Sequence, residues 1–341
     1  MPVRSMEAFP ATSPGSPEPR IVPPSVTVTA TARLHFGFLD PSGRGPRPFG
    51  SFGLSLDRPK TQLTLKRAAE LKVSGPERER AARYLKRIAA SCGVTHAYAL
   101  HIDEAIPPHA GLGSGTQLAL AVGTAFAALE GLALSPQEIA ARLGRGARSG
   151  IGIFTFEQGG AVLDGGPGDG ALPQIFARVP FPAEWRALLI LDPASRGLAG
   201  ESETAAFDSL PDFPASEADE LHRRITQSAL PALANDDFAT FCAEVGHLQA
   251  VMGAYFAPLQ GGPYVSAGVS DVLVWLSSQG VTGLGQSSWG PTGFAFVGSE
   301  DEGDTLLTGL RARAKTGRLE FALTRGRNDG AVIEINPQEN R

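Results

Sequence analysis

The sequence predicts an α+β protein rather than a doubly wound sheet. Alternating apolar strands and amphipathic helices come in blocks, not in strict strand–helix succession, and the pattern changes around Pro180. No internal repeat is evident. With 341 residues and 42% hydrophobic content, the chain is long enough for a sizeable core in two domains or one large one.

Residues 1–24 are rich in Pro and Ser, hold no signal-peptide core and are read as a disordered tail. Val26, Val28 and Ala30 alternate into a first strand that runs on through Thr31–Asp40. A Gly/Pro/Arg loop follows at Pro41–Pro48, then strand signals at Gly53–Leu56 and Gln62–Lys66. A helix fits Glu77–Cys92, with Ala81, Tyr84, Leu85 and Ile88 on one face and Gly93 as its stop. Tyr98, Leu100 and Ile102 alternate as a strand. Next come a glycine loop and an apolar helix carrying Leu118, Val122, Ala125, Phe126 and Leu129. Ser135-Pro136-Gln137-Glu138 is a capping box with Pro at the first helical position, and its helix ends near Gly144. A strand is expected at Gly160–Asp164. Beyond Pro180 the expected elements are a strand (Ala187–Leu191) and helices at about 217–233, 236–255 and 266–279. A glycine-rich segment (Gly283–Gly293), a strand (Phe294–Val297), a helix (about 303–316) and strands at Leu319–Leu323 and Val332–Ile335 complete the chain.

A net charge of −5 argues against a nucleic-acid or anionic-membrane partner. No apolar run reaches the roughly 18 residues of a membrane-spanning helix. The two cysteines, Cys92 and Cys242, make no disulfide framework and lie near no metal-ligand pattern. The expectation is a reduced, cytoplasmic protein.

Four stretches combine small residues with a few polar groups, out of step with packing. In Ala32–Asp40, Arg33 and His35 share one face of a strand, where the planar fork of Arg suits a phosphate or carboxylate; a surface ion pair and a structural histidine are the plain alternatives. In Pro107–Gln117, Gly111, Gly113 and Gly115 alternate through a turn into a helix. Such a loop gathers backbone N–H groups at the positive end of the helix dipole, and oligophosphates bind there. His109, Ser114, Thr116 and Gln117 are its polar side chains. The P-loop pattern fails, because no Lys occurs between Lys86 and Lys315. The dinucleotide and hydrolase-elbow glycine spacings fail as well. In Arg142–Gly152, Arg142, Arg145 and Arg148 lie three apart, as on a solvated face, and Ser149-Gly150 follow at a helix exit. In Gly283–Thr292, Gln286, Ser287, Ser288 and Trp289 lead to a glycine; the indole either stacks on a planar substrate or plugs a domain seam.

Together, A-R-L-H-F-G-F-L-D, P-P-H-A-G-L-G-S-G-T-Q, G-R-G-A-R-S-G-I-G with G-G-A-V-L-D-G-G, and G-Q-S-S-W-G-P-T stand in the order and spacing of one family. The chain closely resembles the β-ribofuranosylaminobenzene 5′-phosphate synthases, a branch of the GHMP kinase superfamily, from about Val26 to Ile335. Arg196–Glu201 also resembles a family segment. The resemblance implies a GHMP-kinase-like two-domain fold: an N-terminal domain at 25–180, like the second domain of ribosomal protein S5, and a ferredoxin-like C-terminal domain at 181–341. It implies transfer of the phosphoribosyl group of phosphoribosyl pyrophosphate to 4-aminobenzoate or 4-hydroxybenzoate, with release of CO2 and pyrophosphate. That is the first committed step towards tetrahydromethanopterin-type one-carbon carriers.

By this resemblance Arg33, His35 and Arg148 are the catalytic candidates. His109, Gly111, Gly113, Ser114, Gly115, Thr116, Gln117, Ser149 and Gly150 would hold phosphate or pyrophosphate. Gln286, Ser287, Ser288 and Trp289 would meet the aryl substrate or fill the seam. Mg²⁺ is expected, bound mainly through the pyrophosphate, with Asp40 and Asp164 as outer ligands or turn caps. The benzoate ring is its own electron sink, so no pyridoxal phosphate is called for, and no nicotinamide or flavin is expected. A homodimer is compatible with this reading. One departure separates it from an ATP-dependent small-molecule kinase: kinases of the superfamily carry S-G-x-D in the third stretch, and here Gly152 occupies the acid's place.

Overall fold

The frame of the molecule is a pair of long antiparallel strands. Their alternation of apolar residues continues for longer than one core can bury. The computed structural model describes residues 25–42, 49–167, 173–197, 206–207, 209–313 and 318–336; the tail expected at 1–24 lies outside them. β1 (Ser25–Asp40) pairs along its length with β2 (Phe49–Ala68), with register shifts between Thr31 and Arg33 and between His35 and Gly37. Val26, Val28 and Ala30 enter a core beneath helices, whereas Ala32, Leu34 and Phe36 enter a second core shared with the other half of the protein. One strand thus crosses from one core to the next.

β3 (Lys72–Ser74), α1 (Arg78–Ser91) and β4 (Ala97–Glu104) extend the first sheet, with β3 parallel to β4. α2 (Ser114–Glu130) and α3 (Pro136–Leu143) pack with α1 over this sheet. The capping box at Ser135 is present, and Gly144 ends α3 in a left-handed conformation. α4 (Ile151–Gln158) then leads to β5 (Ala161–Asp164), which pairs with the first half of β2 and with β6 (Ile175–Val179).

The second sheet has the order β10-β7-β9-β8, all antiparallel, from β7 (Arg186–Leu191), β8 (Leu284–Gln286), β9 (Gly293–Val297) and β10 (Glu320–Arg325). α5 (Ala215–Arg224) continues through one π turn (Ile225–Ala229) into α6 (Leu230–Ala234). α7 (Phe238–Gln260) lies in the shared seam, and α8 (Ala267–Ser278) and α9 (Glu300–Arg311) pack on the second sheet. In the seam, Phe36 meets Phe52, Phe241, Phe294 and Phe296 at centroid distances of 5.1–6.4 Å. Each such fully buried ring contributes about 2–3 kcal/mol.

The α+β class stands as expected; several boundaries differ. The two strand signals between residues 53 and 66 are one strand, which pairs with β1 on both sides of Arg58-Pro59, up to Ser55 and again from Lys60, with a register shift in between. α4, β6 and β8 carry too many glycines or too few residues to announce themselves. β11 (Val332–Asn336), placed by the sequence in the second region, returns to the first sheet, pairing antiparallel with β1 from Ser25↔Asn336 to Thr29↔Val332. Among the described residues no helix is long and apolar enough to cross a membrane.

Candidate active site

β11 covers only the first part of the outer edge of β1. Further along, the unpaired backbone of an edge strand needs partners, and two loops supply them. The Arg33 amide donates to the Leu112 carbonyl at 3.1 Å, and the Ser288 amide donates to the His35 carbonyl at 3.0 Å. Ser287 Oγ accepts from the His35 amide at 3.0 Å and donates to the Gly111 carbonyl at 2.7 Å. The Thr292 amide reaches the Ala110 carbonyl at 3.3 Å. The first, second and fourth stretches are therefore stitched together along one strand edge. Gly111 is required there: φ is +79°, and a Cβ would lie 2.2 Å from the Ser287 carbonyl oxygen.

The loop ends at Gly113, which is left-handed at φ 82° and caps α2 without a side-chain acceptor. The first amides of the helix have no partner within it, and its first turn holds no acid. Cations surround this end. The Arg33 side chain lies across Gly113, 3.0 Å from where a Cβ would be, and donates to the Gly111 carbonyl. The Arg145 guanidinium stands 3.5 Å from the Cβ position of Gly115 and is held by the Tyr84 hydroxyl and ring. Arg80 pairs with Glu77 at 3.2 Å and lies 3.0 Å from Nε2 of His109. Burial first, then Arg80 and Arg196, hold the His109 imidazole below its ordinary range. The arrangement is an open helix N-terminus with arginines around it, suited to a polyanion.

The third stretch is organised differently. Gly144 (φ 68°) and Gly146 (φ 84°) turn the chain after α3, so the three arginines diverge instead of sharing a face. Arg142 donates to the Ser91 carbonyl, Arg145 goes to the glycine loop, and Arg148 lies 4.6 Å over the ring of Phe207. Ser149 and Gly150, expected as phosphate ligands, donate to Asp164 Oδ2 at 3.3 and 3.0 Å. Ser51 Oγ and the Gly166 amide complete the set of four donors on that buried carboxylate. Burial pushes the Asp164 carboxyl up, against the downward pull of these donors. Asp164 is thus the cap of α4. Asp40 accepts from the amide and hydroxyl of Ser42 as a turn cap. Among the described residues no group of three or more His, Cys, Asp or Glu gathers as a metal site. Gln117 also differs from expectation: it is fully buried and its amide donates to the Gly152 carbonyl at 2.8 Å, away from the loop's open side. Gly152 packs on Thr116, and a Cβ there would lie 3.0 Å from its methyl carbon.

In the fourth stretch Gln286 is held by Val265 and Gln249, and Trp289 is buried between Phe207 and Phe256 at centroid distances of 5.4 and 4.5 Å. His35 is buried and packs against Phe38 at a centroid distance of 4.8 Å. The structure therefore brings together Arg33, His35, His109, the Gly111–Thr116 loop and Ser287–Trp289, with Arg148 joined through Phe207. Sequence reasoning passed over Arg80, Tyr84 and Arg145 as site components. Arg80 and Tyr84 lie four apart on one face of α1, but nothing in the sequence says that this face meets the loop. Arg196 and Gly197 also reach the site: the Gly197 amide donates to the His109 carbonyl at 3.0 Å, while the resembling segment from Leu198 onward lies outside the described residues.

Residues 78–160 match the family model described as the GHMP kinases N terminal domain. The backbone is similar to that of homoserine kinase from Cytophaga hutchinsonii, with a TM-score of 0.65, 15% identity and coverage of 92% of this chain and 99% of that one. It is also similar to mevalonate-3-kinase from Thermoplasma acidophilum, with a TM-score of 0.64, 13% identity and coverage of 93% and 100%. At these identities the likeness concerns the fold. A β-ribofuranosylphenol 5′-phosphate synthase from Methanothermobacter thermautotrophicus is 26% identical over 332 residues, covering 90% of this chain and 98% of that protein. A protein of the same name from Archaeoglobus fulgidus is 30% identical over 319 residues, covering 89% and 98%. With near-complete coverage on both sides, the chain belongs to the β-ribofuranosylphenol 5′-phosphate synthase family, built on the GHMP kinase fold.

Proposed function

We propose that this protein transfers the phosphoribosyl group of phosphoribosyl pyrophosphate to 4-aminobenzoate or 4-hydroxybenzoate, with loss of CO2 and pyrophosphate, on the way to methanopterin-type one-carbon carriers. The observation that carries this reading is the open N-terminus of α2, with Arg33 across Gly113 and Arg145 beside Gly115. As the C1–O bond of the sugar breaks, its electron pair leaves with pyrophosphate. The loop amides and these guanidinium groups stabilise that growing charge. The ring carbon bearing the carboxylate forms the new bond to C1, driven by its para amino or hydroxyl group. The pair of the C–CO2 bond then returns to the ring as CO2 departs, so electrons balance without an external acceptor. Mg²⁺ would arrive on the pyrophosphate.

The relatives' name, a ribofuranosylphenol 5′-phosphate, supports an aryl acceptor and a phosphoribosyl donor. A γ-phosphoryl transfer would need an acid where Gly152 sits against Thr116. The test is release of labelled CO2 from carboxyl-labelled 4-aminobenzoate and 4-hydroxybenzoate, each with and without phosphoribosyl pyrophosphate. Release that depends on the donor is expected. ATP consumption with candidate alcohols and no CO2 release would replace this reading with a kinase.

A further inference from the structure

Two residues beyond Arg33, β1 turns His35 into a cavity of about 30 Å³ between the strand, α7 and the segment after β8. Phe38, Met252, Phe256, Gln260, Gln286 and Ser288 are among its walls. His35 is 3% exposed, and neither Nδ1 nor Nε2 has a hydrogen-bond partner among the described residues. The glutamines of the wall are engaged. Gln249 donates to the Phe36 carbonyl and accepts from the Gln286 amide at 2.7 Å, while Gln286 accepts from Val265 at 2.7 Å and donates to Gln260 and to the Ser288 carbonyl. A buried imidazole with two unmet nitrogens is costly, and the space beside it has room for one small polar group.

The surroundings narrow what that group belongs to. Phe38 touches both His35 and Phe207, and Phe256 touches both Trp289 and Phe207, so the cavity is walled by rings. Arg33 and His35 are two strand residues apart, about 7 Å. The phosphate loop and the cavity thus lie side by side along β1, as the two reactants of a transfer must.

We propose that this cavity is the acceptor subsite: the para amino or hydroxyl group of the 4-substituted benzoate enters it and pairs with the His35 imidazole, leaving the carboxylate-bearing carbon towards the phosphate loop. The inference rests on the reaction proposed above. A neutral imidazole offers one acceptor and one donor. Its acceptor nitrogen takes the para N–H or O–H, and that bond strengthens as the ring gives up electron density to the sugar carbon. Burial, and then Arg33, push the His35 imidazole down to about 3, so the ring is neutral and does not oppose that charge. His35 is then the residue that distinguishes a para-substituted donor ring from an unsubstituted one.

The experiment compares 4-aminobenzoate, 4-hydroxybenzoate, benzoate and the isosteric 4-methylbenzoate by equilibrium dialysis against the wild-type protein and His35→Phe, together with KM values for both substrates in each. We expect 4-methylbenzoate and benzoate to bind about 10–100-fold more weakly than the polar pair, because an apolar para group leaves a buried nitrogen unpaired. In His35→Phe that gap should fall below about threefold, with KM for phosphoribosyl pyrophosphate unchanged. Equal binding of all four acids to the wild type overturns the proposal without any variant, and so holds even if His35→Phe does not fold. A KM for phosphoribosyl pyrophosphate that rises as much as that for the acid also overturns it, placing His35 at the phosphate end. Absence of CO2 release by the wild type defeats the reaction itself, while the dialysis series still decides whether His35 reads a para group.

Discussion

The N-termini of α2 and α4 are built from the same small residues, yet they face opposite electrostatic situations. α2 begins at Gly113 with no acid in its first turn and has Arg33 and Arg145 nearby. α4 begins after Gly150 with the buried Asp164 carboxylate already against the amide of that cap residue and the neighbouring serines. One helix end has its anion supplied by the protein; the other has arginines beside it and no acid in its first turn. Glycine and serine content alone does not mark a ligand site. What marks it is whether the chain provides its own counter-charge.

This contrast can be broken at several points. The largest effect is expected for Gly113→Val. The backbone there is at φ +82°, and a Cβ would meet Arg33 at 3.0 Å, so both the loop and its arginine must move. The expected loss is on the order of 10²–10³-fold in kcat/KM for phosphoribosyl pyrophosphate. Gly115→Ala is the matched control, because a Cβ there meets Arg145 at an ordinary 3.5 Å; less than a threefold change is expected in steady-state assays. Equal effects at the two positions would mean that the loop is only a turn.

The next effect should appear in stability rather than in substrate affinity. Asp164→Ala leaves Ser51, Ser149 and the Gly150 and Gly166 amides without their acceptor. A cost on the order of 3 kcal/mol follows, read as a Tm lower by roughly 6 °C. If the melting temperature holds and KM for phosphoribosyl pyrophosphate rises instead, α4 is a ligand site after all and the contrast fails.

The last effect is a change of slope with pH. The folded-state value for His35 is lowered to about 3. Its contribution to stability is therefore present above the unfolded value of about 6.5 and is lost as pH falls from there towards 3. Urea titrations at pH 7 and pH 4 should show that His35→Gln loses less stability on acidification than the wild type does. Identical losses would mean that the folded protein accepts a proton at His35 as readily as the unfolded chain.

Much of the frame was legible because its signals are local. The capping box at Ser135, the stop after α1 and the alternation of Tyr98, Leu100 and Ile102 each depend on neighbours in sequence. The glycine loop was legible for the same reason, since glycine is the residue that takes positive φ without strain, and Gly111 and Gly113 both do. The direction of long side chains was not. Gln117 reads as a loop ligand until the Gly152 carbonyl is beside it, and Ser149 reads as one until Asp164 arrives from β5. Arg145 is indistinguishable from Arg142 by spacing, and only the turn at Gly144 and the Tyr84 hydroxyl on α1 send it to the loop. The cavity at His35 depends on α7, more than two hundred residues along the chain, as the Gln249–Phe36 contact shows.

The return of β11 to β1 has a consequence for how the protein is made. Asn336 donates to Ser25 Oγ at 3.2 Å and to Thr27 Oγ1 at 3.0 Å, so the first of the described strands is completed by the last of them. Until residue 336 has been synthesised, the start of the strand that carries Arg33 and His35 has an open edge, and a nascent chain in that state is prone to pairing with other chains. The same adjacency brings residues 25 and 336 close enough for a short linker. A circularly permuted gene opened elsewhere would let that edge close early in synthesis instead of at its end.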